Sequence, residues 1–194
     1  MNQKIRTLIA DSMDAQKKML NDGSVDLIER ITLKMVDTYR SGGKILVFGN
    51  GGSAADAQHL AAELVVRFEK NRPALACMAL TTNTSSLTAI GNDFGFDELF
   101  SRQLEAFANP GDLVLAISTS GNSVNVLKAV ETAHRRGAFV VGFTGLAGGA
   151  LKKSADLCFC APTPVTARIQ ECHILAIHIL SALLEISLFE KQTH

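Results

Sequence analysis

The sequence lacks an excess of charge of either sign and any long uninterrupted apolar run. Lysine and arginine together number 19, aspartate and glutamate also number 19, and the basic residues are scattered along the chain. This distribution argues against direct binding of DNA or RNA, which usually needs a basic surface. Although 47% of the residues are hydrophobic, no apolar run approaches the roughly 20 residues that span a bilayer. We therefore expect neither a nucleic-acid partner nor a membrane-spanning segment.

Cysteine is scarce as well, and the N-terminus carries no recognisable targeting signal. The four cysteines lie in apolar strand-like or helical patterns, at Cys77, Cys158, Cys160 and Cys172. A chain of 194 residues does not need a disulfide framework, so reduced, buried thiols are favoured over a metal or redox site. The first residues are charged and amphipathic, without the apolar core of a secretion signal, and we expect a cytoplasmic protein.

Apolar residues recur at helical spacing from the N-terminus to about residue 40, with an interruption at residues 21–24. This pattern predicts two helices that precede the rest of the fold. Neither helix can bury its apolar face alone, so they pack either on the domain or on other subunits, and the sequence leaves both open. We treat residues 1–40 as a helical segment of a single domain, 1–194, whose core is 41–194.

Beyond residue 41, short apolar runs alternate with helical patterns. Five runs are predicted strands: 45–48, 75–80, 113–117, 139–143 and 157–160. Five segments are predicted helices: 54–68, 85–90, 98–107, 122–136 and 168–189. Strands that are apolar throughout belong in a parallel sheet covered on both faces. The predicted fold is therefore α/β, with ligands beyond the carboxyl ends of the strands.

The first predicted strand leads into residues 49–63, a glycine-rich turn followed by an alanine-rich helical pattern. Such a turn aims backbone N–H groups and a helix N-terminus at one point, where a phosphate or another anion binds favourably. His59 and Glu63 are four residues apart and thus lie on one face of the helix. The stretch combines a candidate anion site with a candidate reactive pair.

A second candidate anion site follows the third predicted strand. Four hydroxyl side chains lie between that strand and the next predicted helix: Ser118, Thr119, Ser120 and Ser123. Serine and threonine at a helix start are also ordinary caps, but their position at the expected ligand edge favours a phosphate site. Neither this loop nor the glycine turn is a P-loop, because no Gly-Lys-Ser/Thr follows.

Two further segments have less specific signals. Asn92 and Asp93 lie beside glycines, where turn formation is the simpler explanation. In the last predicted helix, His173 and His178 are rotated by roughly 140° from each other, so they face different surroundings. A lone histidine in so apolar a helix is usually a satisfied core residue.

Histidine, glutamate and glutamine side chains from two distant segments have the donors that suit zinc or a similar divalent ion. They are His59, Glu63, Gln170 and His178. The spacing along the chain does not establish that they meet.

Four ordered motifs resemble those of one known family, the bacterial phosphoheptose isomerases of the sugar-isomerase (SIS) domain superfamily. The motifs are residues 49–53, 91–96, 117–123, and 168–171 followed by His173 and His178. The resemblance covers nearly the whole chain. It implies a flavodoxin-like five-stranded parallel sheet with helices on both faces, in a homotetramer whose sites lie between subunits. It also implies conversion of sedoheptulose 7-phosphate to D-glycero-D-manno-heptose 7-phosphate, a precursor of the lipopolysaccharide core.

The resemblance further implies which residues form the site. Substrate contacts fall on Asn50, Gly51, Gly52, Ser53, Glu63, Arg67, Asn92, Asp93, Ser118, Thr119, Ser120, Ser123 and Gln170. A divalent metal, usually zinc, falls on His59, Glu63, Gln170 and His178. The family often has an aspartate where this chain has Ala167, so the contact made by that side chain is not carried over.

Interconversion of a ketose and an aldose moves a proton between neighbouring carbons through an enediol. The reaction needs a base held within hydrogen-bond reach and tuned toward neutral pH, and we expect Glu63 in this role. His178 is expected to be the opposing acid/base, since histidine titrates near neutral pH.

Two relatives of the same superfamily offer alternatives to an isomerase. One is a non-catalytic tetramer that binds the replication initiator protein, and the other is a sugar-phosphate-sensing or amino-sugar-phosphate domain. Glu63 and His178 favour the enzyme because a binding module needs neither.

Overall fold

A five-stranded, all-parallel sheet forms the centre of the computed structural model, which describes residues 1–190. The strands are β1 (Ile45–Gly49), β2 (Cys77–Ala79), β3 (Leu113–Ile117), β4 (Phe139–Thr144) and β5 (Leu157–Cys160). Their order is β2-β1-β3-β4-β5, which is the flavodoxin-like order. The predicted fold class is therefore confirmed. The four C-terminal residues lie outside the described part of the chain.

Helices cover both faces of this sheet. They are α1 (Asn2–Lys18), α2 (Ser24–Arg40), α3 (Gly52–Val65), α4 (Thr84–Asp93), α5 (Ser101–Phe107), α6 (Val124–Arg135), α7 (Leu151–Ser154) and α8 (Thr166–Phe189). A 3₁₀ turn at Phe96–Glu98 precedes α5, so the single helix predicted for 98–107 begins later than expected. The short α7 was not predicted, because four residues are too few to show a helical period.

The strand predicted at 75–80 is shorter in the structure. The N–H group of Leu75 donates to the carbonyl oxygen of Leu64 at the end of α3 (3.0 Å), not to β1. The residues in register with β1 are Cys77–Ala79, at the edge of the sheet, and Ala76 and Leu80 on either side each share one backbone hydrogen bond with β1. The apolar run is thus divided between a loop that closes α3 and a three-residue edge strand.

Side chains of the central strands alternate between two apolar layers, as expected for strands buried on both faces. Ile45 and Val47 of β1 face the layer shared with α2, α3 and α8, whereas Leu46 and Phe48 face the layer shared with α5 and α6. Every residue of β1 is buried. The sheet consequently holds the loops at its carboxyl edge on a rigid base.

The two predicted N-terminal helices are present but differ in how they pack. α2 buries Ile28, Ile31 and Met35 against the core. α1 buries only Ala15, and its exposed apolar side chains include Ile9 and Met13, which are 56% and 64% exposed. Packing within the subunit therefore accounts for α2, whereas most of the apolar surface of α1 is open.

The helix α8 is long and apolar enough to cross a membrane by length and composition alone. The expectation that no such segment exists was too strict. Only 44% of its most apolar window is buried, yet the helix packs against α2 and α3 and forms much of one apolar layer. The core helix of a globular domain passes the same test.

All four cysteines are free thiols, as expected. Cys172 is buried, and the other three are half-buried.

Candidate functional site

The turn after β1 is built from glycines that the geometry requires. Gly51 has φ +55°, a left-handed conformation that side chains disfavour. A Cβ at Gly49 would lie 2.7 Å from the carbonyl oxygen of Ile117 on the neighbouring strand. The N–H group of Ser53, a buried residue of the first turn of α3, donates to the carbonyl of Asn50 (2.9 Å). The turn is therefore tight, and it lies directly beside the end of β3.

Asn50 is held by a reciprocal amide pair with Asn125 of α6. Each amide nitrogen donates to the oxygen of the other side chain, at 2.9 Å. Asn125 is 2% exposed. The glycine turn is thus fixed to the helix that follows the second candidate loop.

Gln170 of α8 lies against the first turn of α3. A Cβ at Gly52 would be 2.0 Å from Nε2 of Gln170, so only glycine allows the amide to approach this closely. Gln170 also lines a shallow depression with His59 and Ala167. The structure therefore brings Gln170 to the helix that carries the predicted reactive pair.

Three side chains of α3 and α8 converge beside this depression. Nε2 of His59 lies 3.0 Å from Oε1 of Glu63 and 3.0 Å from Nε2 of His178. One ligand atom from each of the three residues lies within 4.8 Å of those of the other two. The side chain of Glu63 is 22% exposed and that of His59 is 42% exposed, so the group opens to solvent.

This arrangement has the donor chemistry of a zinc site. Two imidazole nitrogens and a carboxylate oxygen are typical zinc ligands, and they point at one another instead of toward separate hydrogen-bond donors. Gln170 lines the adjoining depression with His59, while its amide lies against Gly52. The residues present therefore fit a zinc-like ion.

Asp56 lines the same depression and was missed by the sequence reasoning. Its Oδ2 atom is buried without a hydrogen-bond partner. Burial raises the pKa of Asp56 to about 6, although nearby His59 acts in the opposite direction. The signal was available, because Asp56 precedes His59 by three residues and so shares its helix face.

The hydroxyl loop after β3 is organised by contacts among its own side chains. Oγ of Ser118 lies 3.0 Å from Oγ of Ser123 and 3.4 Å from Oγ of Ser120. Ser123 is the N-cap residue of α6 but makes no side-chain capping bond. Thr119 and Ser120 line a second depression of about 420 Å³, together with Leu146 and other residues. The Ser123 hydroxyl is therefore not used as an ordinary helix cap.

The glycine turn and the hydroxyl loop are neighbours. Gly49 at the end of β1 pairs in register with Ile117 at the end of β3. Both loops leave the carboxyl edge of the sheet, where ligands of this fold class bind.

The remaining predicted contacts lie farther out. Asn92 and Asp93 form the last turn of α4, not the turn after it, and the amide of Asn92 donates to the carboxylate of Asp93 (2.7 Å). Both are exposed and line neither depression. Arg67 is exposed just beyond α3, next to Phe68, whose ring stacks on that of His178 at a centroid distance of 5.5 Å.

The two histidines of α8 face different surroundings, as the helical geometry predicts. His173 is fully buried, and its Nε2 lies 3.0 Å from the carbonyl oxygen of Thr144. Burial lowers the pKa of His173 to about 4. His173 is thus a neutral core residue, whereas His178 lies at the candidate site.

The residues of the motif at 168–171 make two kinds of contact. Gln170 faces the site, whereas Arg168 and Glu171 pair with each other and hold α1. Arg168 donates to the carbonyl oxygen of Leu8 (2.5 Å), and Ser12 donates to Glu171 (2.6 Å).

Comparison with known proteins identifies the family of the chain. A sequence model of the SIS domain matches residues 9–145. The chain is 48% identical to a phosphoheptose isomerase of Aneurinibacillus thermoaerophilus, over 99% of this chain and 98% of that protein. It is 52% identical to one of Thiobacillus denitrificans, over 86% of each.

Solved structures are similar over the same extent. A phosphoheptose isomerase of Neisseria gonorrhoeae superposes with a TM-score of 0.90 at 43% identity, covering 95% of this chain and 98% of that one. One of Francisella tularensis gives 0.90 at 38% identity, covering 94% and 96%. The chain belongs to the phosphoheptose isomerase family of SIS-domain proteins.

Proposed function

We propose that this protein isomerises sedoheptulose 7-phosphate to D-glycero-D-manno-heptose 7-phosphate, the first step in heptose supply for the lipopolysaccharide core. The observation that carries the proposal is the meeting of Glu63 and His178, together with His59, in a chain related over nearly its full length to phosphoheptose isomerases. A carboxylate and an imidazole on opposite helices are what a proton transfer between two carbons requires.

The reaction moves one proton between carbons and another between oxygens. Glu63 takes the proton from C1 of the ketose as the C2 carbonyl becomes an enediol, and then returns it to C2. His178 donates a proton to O2 and accepts one from O1, which leaves the aldehyde at C1. Both groups end the cycle in their starting protonation states.

His59, Glu63, Gln170 and His178 form the proposed set for a zinc-like ion. When bound, such an ion supplies Lewis acidity toward the carbonyl and enediolate oxygens. Glu63 and His178 belong both to the proposed acid/base pair and to the proposed metal ligands. A carboxylate that binds a metal ion is a weaker base. Glu63 would therefore act as the base only while it does not bind the ion, or the ion would have a mainly structural role.

The two loops at the sheet edge are proposed to bind different ends of the substrate. The proposed phosphate site is the hydroxyl loop, with Ser118, Thr119, Ser120 and Ser123, since these hydroxyls can donate to phosphate oxygens. The glycine turn, with Asn50, Gly51, Gly52 and Ser53, is proposed to face the reacting end of the sugar. The register of Gly49 with Ile117 supports this division because it holds the loops side by side.

We further propose a cytoplasmic homotetramer with sites between subunits. The exposed apolar side chains of α1 support assembly, and Asn92, Asp93 and Arg67 are exposed positions from which a neighbouring subunit's substrate could be reached. A non-catalytic role in binding the replication initiator protein is not favoured, because it gives no reason for Glu63 and His178 to meet.

The test is incubation of the purified protein with sedoheptulose 7-phosphate and detection of the aldoheptose phosphate. Glu63→Gln and His178→Gln should each lower turnover by about 10²–10⁴-fold, the effect expected of an acid/base group. Near-normal turnover in either folded variant would contradict the acid/base role of that residue. An inactive wild-type protein would contradict the proposed reaction itself.

A further inference from the structure

Beside the candidate site, the chain buries an ion pair between Arg72 and Glu185. Nε of Arg72 lies 3.0 Å from Oε1 of Glu185, and each side chain is 1% exposed. Burial of two charges removes their hydration, so a buried pair is weak evidence of added stability. Its other contacts indicate a different role.

The Glu185 carboxylate fixes the segment that follows α3. It accepts backbone N–H bonds from Phe68 (2.9 Å), Glu69 (3.0 Å) and Lys70 (2.8 Å). Burial raises the pKa of Glu185, but these bonds and the bond from Arg72 together bring it below the usual value. The segment has neither helical nor strand structure, so its shape depends on this carboxylate of α8.

Arg72 reaches back to the end of α3. Its Nη2 donates to the carbonyl oxygen of Glu63 (2.8 Å), and its Nη1 donates to that of Leu64 (2.7 Å). Carbonyl groups in the last turn of a helix have no partner within the helix. The guanidinium therefore satisfies these groups and fixes the backbone of Glu63.

His178 and Glu185 lie on the same face of α8, because seven residues complete almost two helical turns. Phe68, whose backbone is bound by Glu185, stacks its ring on His178 with an angle of 29° between the ring planes. The buried pair is thus connected to both reacting side chains without touching either. It reaches Glu63 through the backbone of α3 and His178 through Phe68.

We propose that the Arg72–Glu185 pair positions Glu63 against His178, an inference that rests on the isomerase function proposed above. Neither Arg72 nor Glu185 contacts the reacting groups, so both are positioning residues. A displacement of about 1 Å in an active site can lower turnover by about 10²-fold. The pair should therefore affect turnover and metal affinity, in addition to any effect on stability.

The experiment compares Glu185→Gln with Asp112→Asn. Asp112 is a matched control, because this buried carboxylate also accepts bonds from a cation, Lys44 (2.6 Å), and from backbone N–H groups of Lys44 and Asn109. It lies directly before β3, and these three bonds join it to neither α3 nor α8. Each variant replaces a buried carboxylate with an amide of the same shape.

For both variants, kcat, KM, stability to urea and Zn²⁺ affinity are measured, the last by competition with a chromogenic chelator. In Glu185→Gln, we expect kcat to fall by about 10- to 100-fold, with a smaller change in KM and weaker Zn²⁺ binding. In Asp112→Asn, we expect a loss of stability with kcat and Zn²⁺ affinity close to those of the wild type.

Normal kcat and Zn²⁺ affinity in Glu185→Gln would overturn the proposal. If Glu185→Gln does not fold, Arg72→Lys receives the same measurements, because lysine keeps the charge but lacks the fork that reaches both carbonyls. Wild-type values there would also overturn it. If the wild-type protein has no activity on the heptulose, the function proposed above fails, and Zn²⁺ affinity alone decides: weaker binding in Glu185→Gln than in Asp112→Asn supports positioning, and equal binding contradicts it.

Discussion

Gly52 shows how a single missing side chain shapes the site. Its backbone is not in the left-handed region, so alanine meets no backbone strain there. The obstacle is Gln170, whose Nε2 would lie 2.0 Å from the new Cβ. The residue is therefore glycine because of the approach of α8, not because of the turn.

Gly52→Ala should displace Gln170 and weaken Zn²⁺ binding by about tenfold, the order found when a supporting contact of a metal site is lost. Gly91→Ala is the control, because its Cβ would meet nothing closer than Leu99 at 3.9 Å. Replacement of glycine by alanine inside a helix stabilises the helix by up to about 1 kcal/mol. Chelator competition measures the Zn²⁺ affinity of both variants. Equal affinities would show that Zn²⁺ binding does not depend on the position of Gln170 against residue 52.

His173 should make the stability of the protein dependent on pH. Its pKa is about 4 in the folded state, below the usual value of 6.5. The stability due to the neutral imidazole is therefore fully present above about pH 6.5 and is lost as the pH falls toward 4. The whole effect is on the order of 3 kcal/mol.

Urea denaturation of the wild type and of His173→Gln, at about pH 7 and about pH 4.5, measures this effect. The wild type should lose more stability on acidification than the variant. Asp56, whose pKa is raised to about 6, changes stability in the opposite direction, but it is common to both proteins. Equal losses in the two proteins would contradict a neutral buried His173.

At the scale of elements, α4 and α6 begin with different uses of a polar side chain. Asn83 caps α4, since its side chain accepts a bond from the N–H group of Ser86 (3.0 Å). Ser123 begins α6 without such a bond, and its hydroxyl contacts Ser118 instead. A cap contributes to stability, whereas a hydroxyl that does not cap its helix can donate to a phosphate at the ligand edge.

Ser123→Ala should therefore cost less than about 0.5 kcal/mol of stability, while KM for the sugar phosphate rises several-fold. Asn83→Ala should show the reverse, with a loss of about 1 kcal/mol and little change in KM. Thermal unfolding and steady-state kinetics measure the two effects. A large stability loss in Ser123→Ala with unchanged KM would show that the Ser123 hydroxyl caps α6 and does not bind phosphate.

At the scale of the whole molecule, α1 is the element least explained by one subunit. It is tied to α8 by Arg168 and Glu171, yet Ile5, Ile9 and Met13 remain more than half exposed. Their spacing of four residues puts them in one stripe along the helix. A stripe of this kind is typical of a surface that is covered in an oligomer.

If the proposed tetramer forms through this stripe, Ile9→Lys should shift the protein toward smaller species in sedimentation velocity. Thr7→Lys is the control, since helical spacing puts Thr7 roughly opposite Ile9 and Thr7 is also exposed. An unchanged tetramer in Ile9→Lys would exclude this stripe from the interface, and a monomeric wild type would exclude the tetramer.

The sequence by itself determined the elements and their class. Unbroken apolar runs indicated buried parallel strands, helical periods indicated the helices around them, and the spacing of His59 and Glu63 placed both on one face of α3. These features depend on neighbours along the chain, whose periods of two and 3.6 residues appear directly in the sequence. The length of the edge strand β2 was overestimated, because an apolar run does not reveal how many of its residues pair with a neighbouring strand.

Only the tertiary structure decided which distant residues meet. His178 lies 119 residues from His59 in the chain, and nothing local distinguished it from His173, which is buried beside Thr144. The approach of Gln170 to Gly52 and the pairing of Arg72 with Glu185 have the same origin. All of them depend on how α8 packs across α3, and that packing is set by the apolar layer beneath both helices and not by the spacing of the residues that it brings together.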